Sequence, residues 1–283
     1  MTPVLPALAI TGSTGALGGL VAASLAEAAV PQRLLVRDPA RAPALPLTTV
    51  GRCDYADGPG ARVALEGVEI LFMVSASESA DRLAQHRSLI DAAADAGVRH
   101  VVYTSFLAAA SDAIFTLARD HAATEEHLRA SGMGWTFLRD SFYLDFVTSV
   151  VGDDDVIAGP GGQGRCAFVA RSDVARTAAT ILQDAQAHVG RTYDLTGPEA
   201  ISFAEAAAQL SAVRGRTISY HDESVEEAYA SRLRWPAPQW QYDAWVSTYT
   251  AIASGQLATV STAVRDITGR PPRSLAEYLA ARG

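Results

Sequence analysis

The chain has 283 residues, 49% of them hydrophobic and 19% charged, with a formal charge of −8 at pH 7. That is the composition of a folded protein with a sizeable core, and its acidic balance argues against nucleic acid as a partner, since phosphate binding needs a basic surface. All 23 basic residues are Arg, which excludes Schiff-base chemistry on a lysine.

Cys53 and Cys166 are the two cysteines. They suit reducing surroundings, and their separation fits no zinc pattern, so no metal is expected. No run approaches about 18 apolar residues, and no basic stretch precedes an apolar one at the N-terminus. The expectation is a cytoplasmic protein without membrane contact.

In chain order, Leu8-Ala9-Ile10 reads as a buried strand and Leu17 to Ala29, Ala-rich and free of Pro, as a helix. Between them lies Gly12-Ser13-Thr14-Gly15-Ala16-Leu17-Gly18. A strand, a glycine turn and a helix N-terminus form an anion site: backbone N–H groups converge, and the helix dipole adds about half a positive charge. Glycine lets a pyrophosphate approach the backbone. The spacing is G-x-x-G-x-x-G rather than the commoner G-x-G-x-x-G.

After the Pro31-Gln32 break, Arg33 to Arg37 reads as a second strand and Asp38-Pro39 as a turn. Thr48-Thr49-Val50 is a third strand ending at Asp54-Tyr55, and Gly60 to Leu65 a helix. Ile70 to Val74 is a continuous apolar run, hence a central strand, with Ser75-Ala76-Ser77 at its carboxyl end. Ala84 to Ala96, stopped by Gly97, and Ala118 to Ala130 are helical. His100 to Ser105 and Trp135 to Leu138 are the next strands. This alternation predicts an α/β, Rossmann-type, doubly wound parallel sheet.

The rhythm then changes. Phe142 to Val151 is apolar and aromatic, Gly159 to Gly164 a hairpin or surface loop, and Cys166 to Val169 a strand. Asp173 to Leu182 reads as a helix and Thr192 to Leu195 as a strand that rejoins the sheet. Ser202 caps a helix to Ala212, with Glu205 at the capping-box spacing. Trp235 to Trp240 is an aromatic loop, followed by Tyr242, Trp245 and Tyr249 at helical spacing. It reads as a lobe packing its own core, a subunit contact in a homo-oligomer, or the roof of a pocket. The expected division is a dinucleotide-binding domain of residues 1–140, rejoined by 173–198. A smaller C-terminal α+β lobe of 141–172 and 199–283 would take the substrate.

The second strand ends where dinucleotide folds read the ribose. Arg37 there can pair with the 2′-phosphate of NADP, with Arg41 nearby. The alternative is that Asp38 accepts from the ribose hydroxyl of NAD. Asp54 and Tyr55 read either as a carboxylate and a ring that meet the adenine or as a surface turn, and Ser75, Ala76 and Ser77 border the cofactor's path with small side chains.

The chain resembles the NmrA-like branch of the atypical short-chain dehydrogenase/reductases, and within it the bacterial NADPH:quinone oxidoreductases. The markers are the Gly12–Gly18 loop, Val36-Arg37-Asp38-Pro39, Cys53-Asp54-Tyr55, Tyr103-Thr104-Ser105 and His121-x-x-Thr124-Glu125. Phe137-Leu138-Arg139 before Phe142-Tyr143, and Ser172-Asp173-Val174-Ala175, complete them.

The resemblance implies an NADP cofactor in the N-terminal domain. It implies Thr104, Ser105 and Phe106 on a cleft wall and Phe142 and Tyr143 near nicotinamide and substrate. It also puts His121 in the helix that carries the catalytic Lys of related reductases. Where relatives often read Arg-Pro or Arg-Asn and later Glu-Asn, this chain reads Arg139-Asp140-Ser141-Phe142-Tyr143-Leu144-Asp145, which adds Asp140 to the substrate-facing set.

Hydride transfer to a quinone asks the protein mainly to orient two flat rings and exclude water. The proton would come from water, Tyr143 or His121. The expected function is therefore an NADPH-dependent reductase of a quinone or similar flat small molecule. The alternatives are a non-catalytic NADP(H) sensor and a reductase that tailors an aromatic natural product.

Overall fold

The computed structural model describes residues 6–281. The N-terminal half alternates strand and helix: β1 (Leu8–Thr11), α1 (Ala16–Glu27), β2 (Gln32–Val36), β3 (Thr48–Arg52), α2 (Gly58–Ala64), β4 (Ile70–Met73), α3 (Arg82–Asp95), β5 (His100–Phe106), α4 (Thr116–Ala130) and β6 (Gly134–Asp140). With β8 (Arg191–Leu195) they form a seven-stranded sheet ordered β3-β2-β1-β4-β5-β6-β8. The first four pairings are parallel, with Ile10 opposite Leu34 on one side and Phe72 on the other.

Residues of β1, β2 and β5 are buried along their whole length, as helices on both faces require. The edge strand β3 is half-exposed. This is the doubly wound Rossmann-type arrangement read from the sequence.

The remaining elements are α5 (Leu144–Ser149), β7 (Val156–Gly159), α6 (Arg171–Gln183), α7 (Phe203–Arg214), β9 (Ser219–Asp222), α8 (Val225–Arg232), α9 (Gln239–Ala253), α10 (Ala263–Thr268) and α11 (Leu275–Ala280). Three of these helices begin with complete capping boxes, at Ser202/Glu205, Ser224/Glu227 and Ser274/Glu277. Each box satisfies two otherwise unpaired N–H groups.

The chain folds as two compact units. Of the described residues, one comprises 6–105, 120–139 and 174–193; the other 106–119, 140–173 and 194–281. In the first, Leu71, Leu89, Tyr103 and Phe137 lie within one buried cluster. In the second, Phe168, Phe203, Leu210 and Tyr249 belong to another.

Two expectations need correction. Cys166 to Val169 is not a strand: it makes isolated bridges, Cys166 to Ile201 and Val169 to Tyr143. The turn after Gly159 is not a hairpin, because β7 pairs in parallel with β9, some 60 residues on. The apolar, aromatic stretch after Phe142, to which the sequence assigned no element, contains α5.

The aromatic loop packs on its own helix: the Tyr242 hydroxyl donates to the Trp235 carbonyl at 2.8 Å, and Trp245 meets both rings edge-on. Among the described residues no helix is long and apolar enough to cross a membrane, and no three His, Cys, Asp or Glu side chains are grouped to hold a metal.

Candidate functional site

The glycine turn closes at the carboxyl end of β1, where the sheet order reverses between β2 and β4. Gly12 has φ +66°, and a Cβ on it would meet the Val74 side chain at 3.0 Å. The Gly15 amide donates to the Gly12 carbonyl at 2.9 Å. At Gly18 a Cβ would lie 2.3 Å from the Gly12 carbonyl oxygen, so strand and helix touch backbone to backbone.

No side chain caps α1, and its first turn holds no acidic residue. The leading amides are thus left for an anion, in the favourable field of the helix N-terminus. The Ser13 hydroxyl is buried and has no protein partner. A glycine cradle with an unpartnered buried hydroxyl fits a dinucleotide pyrophosphate.

At the end of β2, Thr14, Arg37, Asp38 and Arg41 line a cavity of about 350 Å³. Asp38 accepts from the Ala40 amide at 3.1 Å and caps the short turn Pro39–Arg41. Arg37 and Arg41 are exposed, and no carboxylate of the described residues pairs with either. Two uncompensated guanidinium groups suit a phosphate dianion better than a ribose hydroxyl.

Further along the same edge, Asp54 accepts from the Ala56 amide at 3.0 Å. The Tyr55 hydroxyl turns into the sheet, 2.6 Å from both Thr11 Oγ1 and the Val74 carbonyl. It ties the ends of β1 and β4 together. Ser75, Ala76 and Ser77 follow β4, and the Ser75 amide donates to Thr104 Oγ1 at 2.8 Å. The Ser105 hydroxyl donates to Glu125 at 2.6 Å, beneath a bidentate Arg139 and a third contact from Arg129. The hydroxyls of Tyr55, Thr104 and Ser105 are therefore engaged within the protein.

His121 is likewise engaged. It is 5% exposed, with Nε2 accepting from Arg82 and Nδ1 2.9 Å from the Tyr103 hydroxyl. Burial, and then the Arg82 charge, hold its pKa well below the ordinary value, so the ring is neutral. The sequence reading offered it, beside water and Tyr143, as a proton donor; burial with both nitrogens occupied gives it a place in a polar brace. In that brace Arg82 Nε donates to the Ala76 carbonyl, and His86 Nε2 accepts from the Ala76 amide. His86 Nδ1 pairs with Thr124, whose hydroxyl donates to the Asp120 carbonyl. The brace fixes the backbone that follows β4.

In the second unit Phe106, Phe115 and Phe142 form a triangle with ring centroids 4.9 to 5.1 Å apart, and Phe146 stacks on Phe142 at 5.5 Å. Tyr143 donates to Asp140 Oδ2 at 2.7 Å. The Arg171 guanidinium lies 4.7 Å over the Tyr143 ring and pairs with Asp145 at 3.0 Å. Asp140 is 3% exposed, and burial pushes its pKa up to about 8, against the pull of the Tyr143 hydrogen bond.

A family model described as NAD(P)H-binding matches residues 12–185. The Escherichia coli protein quinone oxidoreductase 2 is 34% identical over 95% of this chain and 96% of its own. The NAD(P)H azoreductase of Xenophilus azovorans is 31% identical over 95% of each. The chain belongs to the NAD(P)H-binding family.

Family structures agree. The crystal structure of the E. coli quinone oxidoreductase with NADPH matches at a TM-score of 0.89, 33% identity, over 97% of this chain and 99% of that one. The Citrobacter triphenylmethane reductase with NADP(H) matches at 0.85, 30% identity, over 97% and 99%. The resemblance drawn from the sequence motifs is borne out.

Within this family fold, the first unit gathers Gly12–Gly18, Arg37, Asp54, Tyr55 and Ser75–Ser77 at the carboxyl edge of its sheet, with Thr104, Ser105 and His121 behind it. Phe106, Asp140, Phe142 and Tyr143 belong to the second unit. Sequence reasoning passed over Phe115, Arg82 and Arg171, and took Phe146 only as part of the apolar, aromatic stretch 142–151. Only Arg171, two residues before the Asp173 helix signal, had a neighbouring motif to draw attention to it.

Proposed function

We propose that this chain is an NADPH-dependent reductase that passes hydride to a quinone or a similar flat electrophile. The observation that carries the reading is the glycine cradle beside two unpaired guanidinium groups, Arg37 and Arg41. In this reading the amides of Gly12–Gly18 hold the pyrophosphate, with Ser13, Thr14, Ala16 and Leu17 completing the turn. Arg37 and Arg41 hold the 2′-phosphate. Asp54 and the Tyr55 ring border the adenine, Ser75–Ser77 flank the cofactor, and Thr104 and Ser105 shape the wall from behind.

When bound, the reduced nicotinamide supplies the hydride. The chain's own work is to bind, to orient and to keep water out.

The relatives named for quinone and azo reduction motivate the substrate class. The phenylalanine cluster of the second unit is the surface expected to take a flat ring, since ring pairs stack or meet edge-on at 4.5–7 Å. On this reading residues 1–140 with 173–198 serve the dinucleotide, apart from 106–119 and Asp140, which join 141–172 and 199–283 on the substrate side, and the protein works in the cytoplasm.

The test follows loss of reduced-nicotinamide absorbance when purified protein meets NADPH and a panel of quinones. Saturable consumption, faster with NADPH than with NADH, is expected. No consumption, where fluorescence shows that NADPH binds, would sink the proposal.

A further inference from the structure

Asp140 stands out among the carboxylates of the second unit. It is 3% exposed, yet no Arg pairs with it. The neighbouring cation, Arg171, is committed to Asp145 and to the face of Tyr143. The nearby thiol, Cys166, bonds to Ser141. Oδ2 already accepts the single hydrogen of the Tyr143 hydroxyl. Oδ1 is buried and has no protein partner.

An ionised carboxylate in such surroundings is costly, and the group neutralises instead. The direction of its pKa, up to about 8, agrees. Since Oδ2 is occupied as an acceptor, the carboxyl proton sits on Oδ1. That leaves one buried O–H with nothing in the protein to receive it, an arrangement that is costly unless a ligand completes it. The matching ligand group is an uncharged acceptor, such as a carbonyl oxygen.

We propose that Asp140 Oδ1 donates a hydrogen bond to the carbonyl oxygen of the electrophile and delivers the proton that completes its reduction. The inference rests on the reductase reading above and names the acid that reading leaves open. Hydride from NADPH adds two electrons and one hydrogen to the quinone, giving a hydroquinone monoanion. The Oδ1–H bond then breaks as an O–H bond forms on the substrate, and Asp140 is left as a carboxylate. A proton from solvent restores it. The sum is quinone, NADPH and H⁺ going to hydroquinone and NADP⁺. Tyr143 is a positioning residue: by occupying Oδ2 it directs the proton to Oδ1.

The experiment compares the wild-type chain, Asp140→Asn and Tyr143→Phe, with p-benzoquinone and NADPH. The wild-type kcat/KM should fall as pH rises through about 8, where the acid is lost. Asp140→Asn should be about 100-fold slower and lack that limb, while its NADPH affinity, read by nicotinamide fluorescence, is unchanged. Tyr143→Phe removes a bond that favours the carboxylate, so the limb should move to higher pH. Infrared spectra at neutral pH should show a protonated-carboxyl band in the wild type that is missing from Asp140→Asn.

An active wild type with an unaltered rate and limb in Asp140→Asn overturns this inference alone. So does an unmoved limb in Tyr143→Phe, which decides the matter if Asp140→Asn fails to fold. A wild type that reduces no quinone overturns the reductase reading and this inference together.

Discussion

Gly18 packs against Gly12 so closely that a Cβ on Gly18 would stand 2.3 Å from the Gly12 carbonyl oxygen, 2.5 Å from its carbon and 2.8 Å from the Thr11 oxygen. All three atoms are backbone, so no flexible side chain can yield. Gly18→Ala must push helix from strand and deform the anion cradle. We expect a loss of about 2 kcal/mol in stability and at least about tenfold weaker NADPH binding. Thermal melts and fluorescence titration check both, and unchanged affinity would show that the cradle is not where the dinucleotide sits.

Arg37 and Arg41 should separate NADPH from NADH. A guanidinium–phosphate contact is worth about 1.5–3 kcal/mol, or about 10–100-fold in Kd. Arg37→Ala and Arg41→Ala should each weaken NADPH by that order and leave NADH nearly unaffected. Parallel weakening of the two cofactors would remove both residues from the 2′-phosphate.

Glu125 should matter for stability. Its carboxylate is 1% exposed and receives Ser105, Arg139 and Arg129. Removing one partner of a buried pair leaves the other uncompensated, at about 3–5 kcal/mol. Arg139 and Arg129 both reach solvent, so Glu125→Gln should cost about 3 kcal/mol, near the low end. Urea unfolding measures it, and a midpoint equal to the wild type's would contradict the buried-pair account.

The buried histidines set an acid limit. Burial pushes His86 down to about 3 and His100 down to about 4, and His121 well below its usual range. In the unfolded chain each binds a proton near 6.5, so below that pH the unfolded state takes up protons that the native state refuses. Stability from these groups is complete above 6.5 and is lost as pH falls toward 4 and 3. Melting temperatures should start to drop in the first pH unit below 6.5, ahead of the carboxylates. A flat profile there would mean that these rings are charged in the native protein.

The cradle was readable because its chemistry is local: Gly12, Gly15 and Gly18 follow a strand and open a helix within seven residues. Arg37 was readable because strand order fixes where β2 must end. The hydroxyls of Tyr55, Thr104 and Ser105 were not. Their partners, Thr11, Ser75 and Glu125, lie 44, 29 and 20 positions away, and only the fold decides whether such a group faces a ligand or the interior.

His121 illustrates the same limit, since Arg82, the residue that holds its Nε2, is 39 positions upstream on another helix. Cys166 to Val169 looked like a strand because burial and strand pairing both select apolar residues, and sequence alone does not tell them apart.

The two units are woven from six alternating stretches of chain. The second begins with residues 106–119, but their packing partners come much later: Thr116 bonds to Ser247, 131 positions on, and Phe106 shares its cluster with Leu275. During synthesis that early stretch leaves the ribosome long before the residues that will cover it exist. Its apolar side chains must wait, exposed, until translation nears its end. The order of synthesis and the order of folding therefore part company, and nascent chains halted before α9 should be conspicuous clients for chaperones that hold unfinished proteins.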